Sequence, residues 1–217
     1  TDNGAETITF PDGGTTPFKG GKLTTWEGGM RAPAVIRWPD HIKPGTVLNG
    51  IFASLDWLPT LVDIAGGPKD NDLRAEIQKG EYPGIVKTTL DGVNQREYLL
   101  GESDTPARDT FMYYSGKDPS AVRFKNWKMY FAMVSDNPAG FVSGVMPYHW
   151  TQIVNIKRDP FETSTGEQLK TLQGVGGAIA APITAYAYDW NLLPIGQALC
   201  LTALDSYPDF PPMQNPQ

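Results

Sequence analysis

Cysteine and histidine are scarce: Cys200 is the one thiol in 217 residues, and His41 and His149 are the two imidazoles. A lone thiol excludes an internal disulfide framework and any zinc site built from cysteine pairs. Both histidines fall in proline-flanked loops without a partner at ligand spacing, which disfavours a catalytic role for either. The chain has no basic run or stripe. Its 18 Lys and Arg are scattered among 24 Asp and Glu for a net charge of -6, so nucleic acid is not its expected main partner. A membrane-length hydrophobic run is missing too. The least charged stretch, Gly174 to Leu204, is interrupted by Pro182, Asp189, Pro194 and several glycines, whereas a membrane span needs about 20 apolar residues. There is no Asn-x-Ser/Thr sequon. No Met and no charged-then-apolar leader precede Thr1, so the expectation is a removed signal or a piece of a longer precursor.

What is present suffices for a core: 40% of residues are hydrophobic and 11% aromatic, in a length that suits one or two domains. The first 50 residues are rich in Gly and Pro around "APAVIRWP" (32–39), an apolar run expected to form a buried strand. "SLDWLPTLVDIAGG" is the strongest helix signal. Ser54 suits an N-cap, Leu55, Leu58, Leu61, Val62 and Ala65 recur at helical spacing, and Gly66-Gly67 ends the pattern. Asp56 and Asp63, seven apart, share a face of that helix, expected to be its solvated one. "NDLRAEIQKG" reads as a further short helix. Beyond residue 105 the pattern changes. "TFMYYS", "SAVRFKNWKMYFAMV" and "IVNIKRDP" are aromatic and β-branched runs, the second bending at Lys125-Asn126 as a hairpin, so an antiparallel sheet is expected. The apolar tail from Leu192 to Leu204 suits a helix laid on that sheet.

Chemistry concentrates near the start of the chain. Asp2 and Asn3 present a carboxylate and an amide oxygen side by side, hard donors suited to Ca²⁺ or Mg²⁺, although two ligands do not make a site and composition alone favours an Asx-type turn. Lys22 stands in "KGGKLTTWEGG", where glycines let backbone approach an anion and an ammonium can neutralise it; a surface lysine in a flexible loop is the plain alternative. A nucleotide phosphate loop is excluded, because Thr16 replaces its first glycine and Leu23 its hydroxyl residue. Glu27 and Arg31 are expected to pair or cap locally and so shape the loop that presents Lys22, with Thr24 and Thr25 as loop-shaping hydroxyls.

Six phrases in order, "TDNGAE", "PFKGGKLTTWEGGMRAPAVIRWP", "IKPGTV", "ASLDWLPTLVDIAG", "LDGVN" and "NIKRDPFE", resemble the later half of the sulfatase family of the alkaline-phosphatase superfamily. The resemblance implies an α/β fold, part of an alkaline-phosphatase-like core over residues 1–105. An α+β subdomain over 106–217, with an antiparallel sheet and a C-terminal helix, would follow it. It implies that Asp2 and Asn3 are ligands of an active-site Ca²⁺, and that Lys22 binds a sulfate oxygen and stabilises charge in catalysis. The substrate would be an aryl or carbohydrate sulfate ester, attacked by a hydrated formylglycine.

The departures are equally specific. The formylglycine motif, [CS]-x-P-x-R, is nowhere satisfied: Cys200 precedes "LTAL", Ser103 is one residue too far from Pro106, and "SYPDF" ends in Phe210. The paired aspartates that complete the family's metal site, and its upstream Lys and His residues, have no match either. The expectation is therefore a C-terminal fragment of a sulfuric ester hydrolase, inactive alone, whose partner is the missing N-terminal half of the same protein. Two alternatives stay open: a non-catalytic α+β binding or assembly module, and a phosphodiester or phosphonate hydrolase of the same superfamily. Asn3 tilts against the latter, in which histidine commonly follows the metal-binding aspartate. Localisation is not legible, with a periplasmic or extracellular compartment left open by the resemblance.

Overall fold

Alternating apolar residues between residues 110 and 155 build one sheet. In the computed structural model, which describes residues 1–6, 14, 16–84, 88–116, 118–133, 145–165 and 189–211, strands β1 (Thr110–Ser115), β2 (Asp118–Phe124), β3 (Trp127–Met133) and β4 (Met146–Asn155) lie in sequential order. β2 and β3 form the expected antiparallel hairpin. Phe124 faces Trp127 across Lys125-Asn126, and Lys125 enters the turn at φ 53°, the left-handed region. β3 pairs antiparallel with β4, Trp127 opposite Asn155 and Met129 opposite Ile153, with an irregularity between Tyr130 and Ala132.

Contacts divide the described residues into two units, one of residues 1–34 and 112–205, the other of residues 35–111 and 206–211. In the first, the two-residue period of the strands sends successive side chains to opposite faces. Val122, Met129 and Ile153 are buried on one face. Helix α5 (Leu193–Leu204), the helix expected in the apolar tail, covers them with Leu193, Leu199 and Cys200. Gly196 permits that approach, since a Cβ there would lie 3.0 Å from the Met129 methyl carbon and closer still to its sulfur. Each such buried Val or Met side chain contributes about 1.5–3 kcal/mol. Ala121, Lys128, Tyr130 and Val154 occupy the opposite face and are also fully buried. Residues 166–188, most of the weakly charged stretch before α5, lie outside the described residues.

The second unit contains a short 3₁₀ turn (Ser54–Asp56) running into helix α2 (Trp57–Ile64), then α3 (Asp70–Lys79) and α4 (Arg96–Leu100). Glycines in the left-handed conformation, Gly80 and Gly101, close α3 and α4. The four-residue α1 (Glu27–Met30) belongs to the first unit.

Three expectations are overturned: the face that α2 buries, its N-cap and the strand at 32–39. Leu55, Leu58 and Leu61 are 48%, 55% and 53% exposed, while Asp56, Pro59 and Thr60 are buried. The buried face is polar because Asp56 is an anchor. Its carboxylate accepts from the backbone N–H of Ala53 (2.9 Å) and Val93 (3.0 Å) and is held by the Arg108 guanidinium through Nε (2.9 Å) and Nη2. Asp63, expected in solvent, accepts from Asn94 at 2.7 Å with its side chain 8% exposed. Ser54 is not the N-cap of α2, whose first turn follows the 3₁₀ turn at Trp57. The run 32–39 forms no strand among the described residues, and Val35 is 96% exposed. A strand needs a neighbour to satisfy its backbone.

Candidate functional site

The segment holding Asp2 and Asn3 is stitched to the loop holding Lys22. The Gly4 N–H donates to Gly29 O at 2.8 Å, and the Lys22 N–H donates to Ala5 O at 2.8 Å. Only glycine allows this approach at position 4, because a Cβ there would sit 2.7 Å from the Gly28 carbonyl carbon and 2.9 Å from Gly29 Cα. Gly28 is confined in the same way, its hypothetical Cβ lying 2.6 Å from Phe18 O. The glycines of "TDNGAE" and "WEGG" are thus two halves of one backbone contact.

Around it, the donors are arranged as follows. Asp2 is exposed and accepts from the Asn3 side-chain NH₂ at 2.8 Å. The Lys22 ammonium lies 3.6 Å from the Glu6 carboxylate with both side chains about two-fifths exposed. Such a pair is worth only about 0–1 kcal/mol, so an anion of higher charge can displace Glu6. Leu23, immediately after Lys22, is held at φ 78°, a conformation unusual for a branched side chain. Thr24 shapes the turn as expected, donating its hydroxyl to Gly21 O at 2.8 Å.

Beneath the loop lies a buried ion cluster. Lys128, with no exposed surface, donates to Thr25 O (2.8 Å) and to the Glu27 carboxylate (2.9 Å) and lies 3.4 Å from Glu162. Glu162 in turn accepts from the Glu27 backbone N–H at 2.8 Å and from the Tyr130 hydroxyl. Burial alone drives Lys128 toward its neutral form; Tyr113, Glu27 and Glu162 more than offset this, so its pKa stands above the ordinary lysine value. Burial likewise raises the Glu162 carboxyl above its usual range, against the opposing pull of Lys128, the Glu27 N–H and the Tyr130 hydroxyl. Trp26 is fully buried with its ring 4.5 Å from that of Tyr130, and Lys19 lies over Trp26 while donating to Thr165 at 2.7 Å.

Comparison with known proteins bears on what this arrangement serves. Residues 1–67 match the Sulfatase family model. Arylsulfatase A of Homo sapiens is 34% identical over 190 residues, covering 82% of this chain and 33% of that protein. Arylsulfatase A of Bos taurus is 35% identical over 174 residues, with 74% and 31% covered. This chain belongs with the sulfatases. It spans about a third of the length of these two relatives. Its fold agrees as well: the PsFucS1 sulfatase from Pseudoalteromonas sp. superposes with a TM-score of 0.72 over 99% of this chain and 37% of that one, at 23% identity. The expected sequence of a partial alkaline-phosphatase-like core, an antiparallel sheet and a C-terminal helix is the architecture found.

Whether calcium suits the residues of this sulfatase chain is a question of donor chemistry and number. Asp2, exposed, and Asn3, half-buried, supply hard oxygens on adjacent side chains, which fits the ion, but Ca²⁺ takes about 6–8 oxygens. Among the described residues no cluster of three or more His, Cys, Asp or Glu stands ready to hold a metal. The pair therefore fits as part of a ligand set. His41 is exposed and stacks on Trp38 with ring centroids 4.1 Å apart. Of the expected local pairing or capping of Glu27 and Arg31, the capping is found: the Arg31 N–H donates to Glu27 O at 2.8 Å and closes α1, while the Glu27 carboxylate binds Lys128 and the Arg31 guanidinium lies over the Phe18 ring at 4.5 Å. Sequence reasoning missed Lys128 and Glu162, whose signal was present in part, since strand alternation puts Lys128 on the face of Tyr130.

Proposed function

We propose that this chain supplies part of the active site of a sulfuric ester hydrolase acting on aryl or carbohydrate sulfate esters. In this reading Asp2 and Asn3 are two ligands of an active-site Ca²⁺, and Lys22 binds a sulfate oxygen and offsets charge that builds on it as the ester breaks. The observation that carries the reading is the pair of backbone hydrogen bonds, Gly4 to Gly29 and Ala5 to Lys22, which joins a hard-oxygen pair to a displaceable ammonium. Asp2 would offer a carboxylate oxygen, and Asn3 its amide oxygen, with its NH₂ committed to Asp2. Lys22, fixed through its own backbone N–H, would exchange Glu6 for the incoming sulfate group. When bound, the cation would polarise the sulfate ester as a Lewis acid.

The nucleophile and remaining metal ligands lie outside these 217 residues in this reading, with a formylglycine as the expected nucleophile. The partner is the rest of the same protein. The outward leucines of α2 and the exposed Val35, Ile36, Val47 and Leu48 support this, because each would leave water if further core packed there. The division at residue 105, between the last part of the α/β core and a C-terminal subdomain, is part of the same proposal. The test is hydrolysis of an aryl sulfate by the longer protein that carries this chain and by the 217 residues alone. Turnover by the first and none by the second is expected; single-turnover cleavage by the isolated chain would defeat the proposal.

A further inference from the structure

We propose that Lys128, Glu27 and Glu162 act as a positioning clamp that sets where the loop of residues 19–30 presents Lys22. This rests on the reading of Lys22 as the sulfate-binding lysine. The clamp grips that loop at three points within five residues of Lys22: the carbonyl of Thr25, the backbone N–H of Glu27 and the carboxylate of Glu27. Its other jaw is remote in sequence, Lys128 on β3 and Glu162 in the turn after β4. All three residues are buried, Lys128 and Glu162 completely.

Two features say that pose, rather than burial, is what the cluster provides. A buried ion cluster is a poor device for stability alone, because apolar side chains of similar volume often stabilise as well or better. What charged groups add is direction, since each hydrogen bond here fixes a particular backbone atom of the loop. The second feature is backbone conformation. Leu23 and Glu162, neither of them glycine, both hold positive φ, at 78° and 53°. Such conformations persist where surroundings over-determine them, and one lies beside Lys22 while the other belongs to the clamp itself. The Trp26–Tyr130 ring contact and the Lys19–Thr165 hydrogen bond run parallel to the clamp and bind the same loop to the same face of the sheet and the turn beyond it.

The experiment uses the 217-residue chain, with Lys128→Met, Glu162→Gln and Tyr130→Phe read by residue-resolved amide hydrogen exchange. The hydrogen-bonded loop amides, those of Lys22, Thr24, Gly28 and Gly29, should lose protection by about tenfold or more in Lys128→Met and Glu162→Gln. Ladder amides of β2 and β3 should keep theirs, and Tyr130→Phe should fall between. Equal loss in loop and ladder, no loss in either, or failure of all three variants to fold would overturn the clamp, since each marks a scaffold without local control. A second arm follows the Lys22 side-chain NMR signal during titration with inorganic sulfate. The wild type should respond, Lys22→Ala should remove the response, and Glu162→Gln should weaken it about tenfold. A wild type with no Lys22-dependent response counts against the sulfate reading of Lys22, while the exchange arm still decides the clamp. Unchanged sulfate affinity in a Glu162→Gln chain whose loop exchanges faster would also overturn it.

Discussion

Replacing Gly4 by alanine tests the contact that joins the two halves of the candidate site. An alanine Cβ at this position meets main chain, the Gly28 carbonyl and Gly29 Cα, so no rotamer change relieves it. Elsewhere, Gly→Ala at a compatible conformation stabilises by about 0.4–1 kcal/mol through the unfolded state. Here the opposite sign is expected. Overpacking against backbone costs about 1–3 kcal/mol, but the loss has a ceiling, because residues 1–6 can lift away instead of straining the loop. Lifting breaks the bonds Gly4 to Gly29 and Lys22 to Ala5, which are worth about 0.5–1.5 kcal/mol each. The expected destabilisation is therefore about 1–3 kcal/mol, read as a lower urea midpoint at unchanged slope. Its signature is local, since the amide of Lys22 should lose protection while those of β2 and β3 fall only by the global change. A Gly4→Ala chain that melts like the wild type and keeps Lys22 protected would refute the reasoning.

Further outcomes follow from the buried charges and the ligand count. Arg108→Met leaves the Asp56 carboxylate buried without its cation and should cost about 3–5 kcal/mol; a change under 1 kcal/mol in denaturant melts would contradict the anchor role. Lys128, Tyr113 and Tyr130 all hold folded-state pKa values above their ordinary 10.5 and 10.0. The folded chain then keeps protons that the unfolded chain releases, so stability should fall as pH rises beyond about 10. A thermal midpoint flat from pH 8 to 11 would speak against this. Toward acid, Asp159 has the opposite sign, its pKa lowered by hydrogen bonds from Thr163 and Ser164 that outweigh the upward push of burial, so its contribution is lost as pH falls below the usual 3.8. Alone, the chain should bind Ca²⁺ weakly, two oxygens being a fraction of the set; sub-micromolar binding in calorimetry that vanishes in Asp2→Ala would count against the partial site.

How much of this was legible depended on the range of the interaction. The β2–β3 hairpin and helices α3 and α5 follow from local pattern, and the hairpin turn at Lys125-Asn126 is where the sequence places it. The face of α2 was misread. Periodicity says which residues travel together but not which side is covered, and Asp56 reaches partners at Val93 and Arg108 that no helical window includes. The run 32–39 has strand composition without a neighbour among the described residues, and composition cannot report a neighbour. Lys128 was legible only in part, by strand alternation, for a related reason: a lysine two residues past a turn reads as solvated, and its partners Glu27 and Glu162 stand 101 residues before it and 34 after it. The glycines at 4, 28 and 29 were legible as motif, but their shared reason, a backbone contact across the site, needed coordinates.

The most direct test of the central claim is steady-state hydrolysis of an aryl sulfate by the longer protein carrying this chain, comparing wild type with Lys22→Ala. Loss of an ammonium that stabilises the developing charge should lower kcat/KM by about 10²–10³-fold with the fold intact. A folded Lys22→Ala protein that turns over sulfate esters at the wild-type rate would contradict the account.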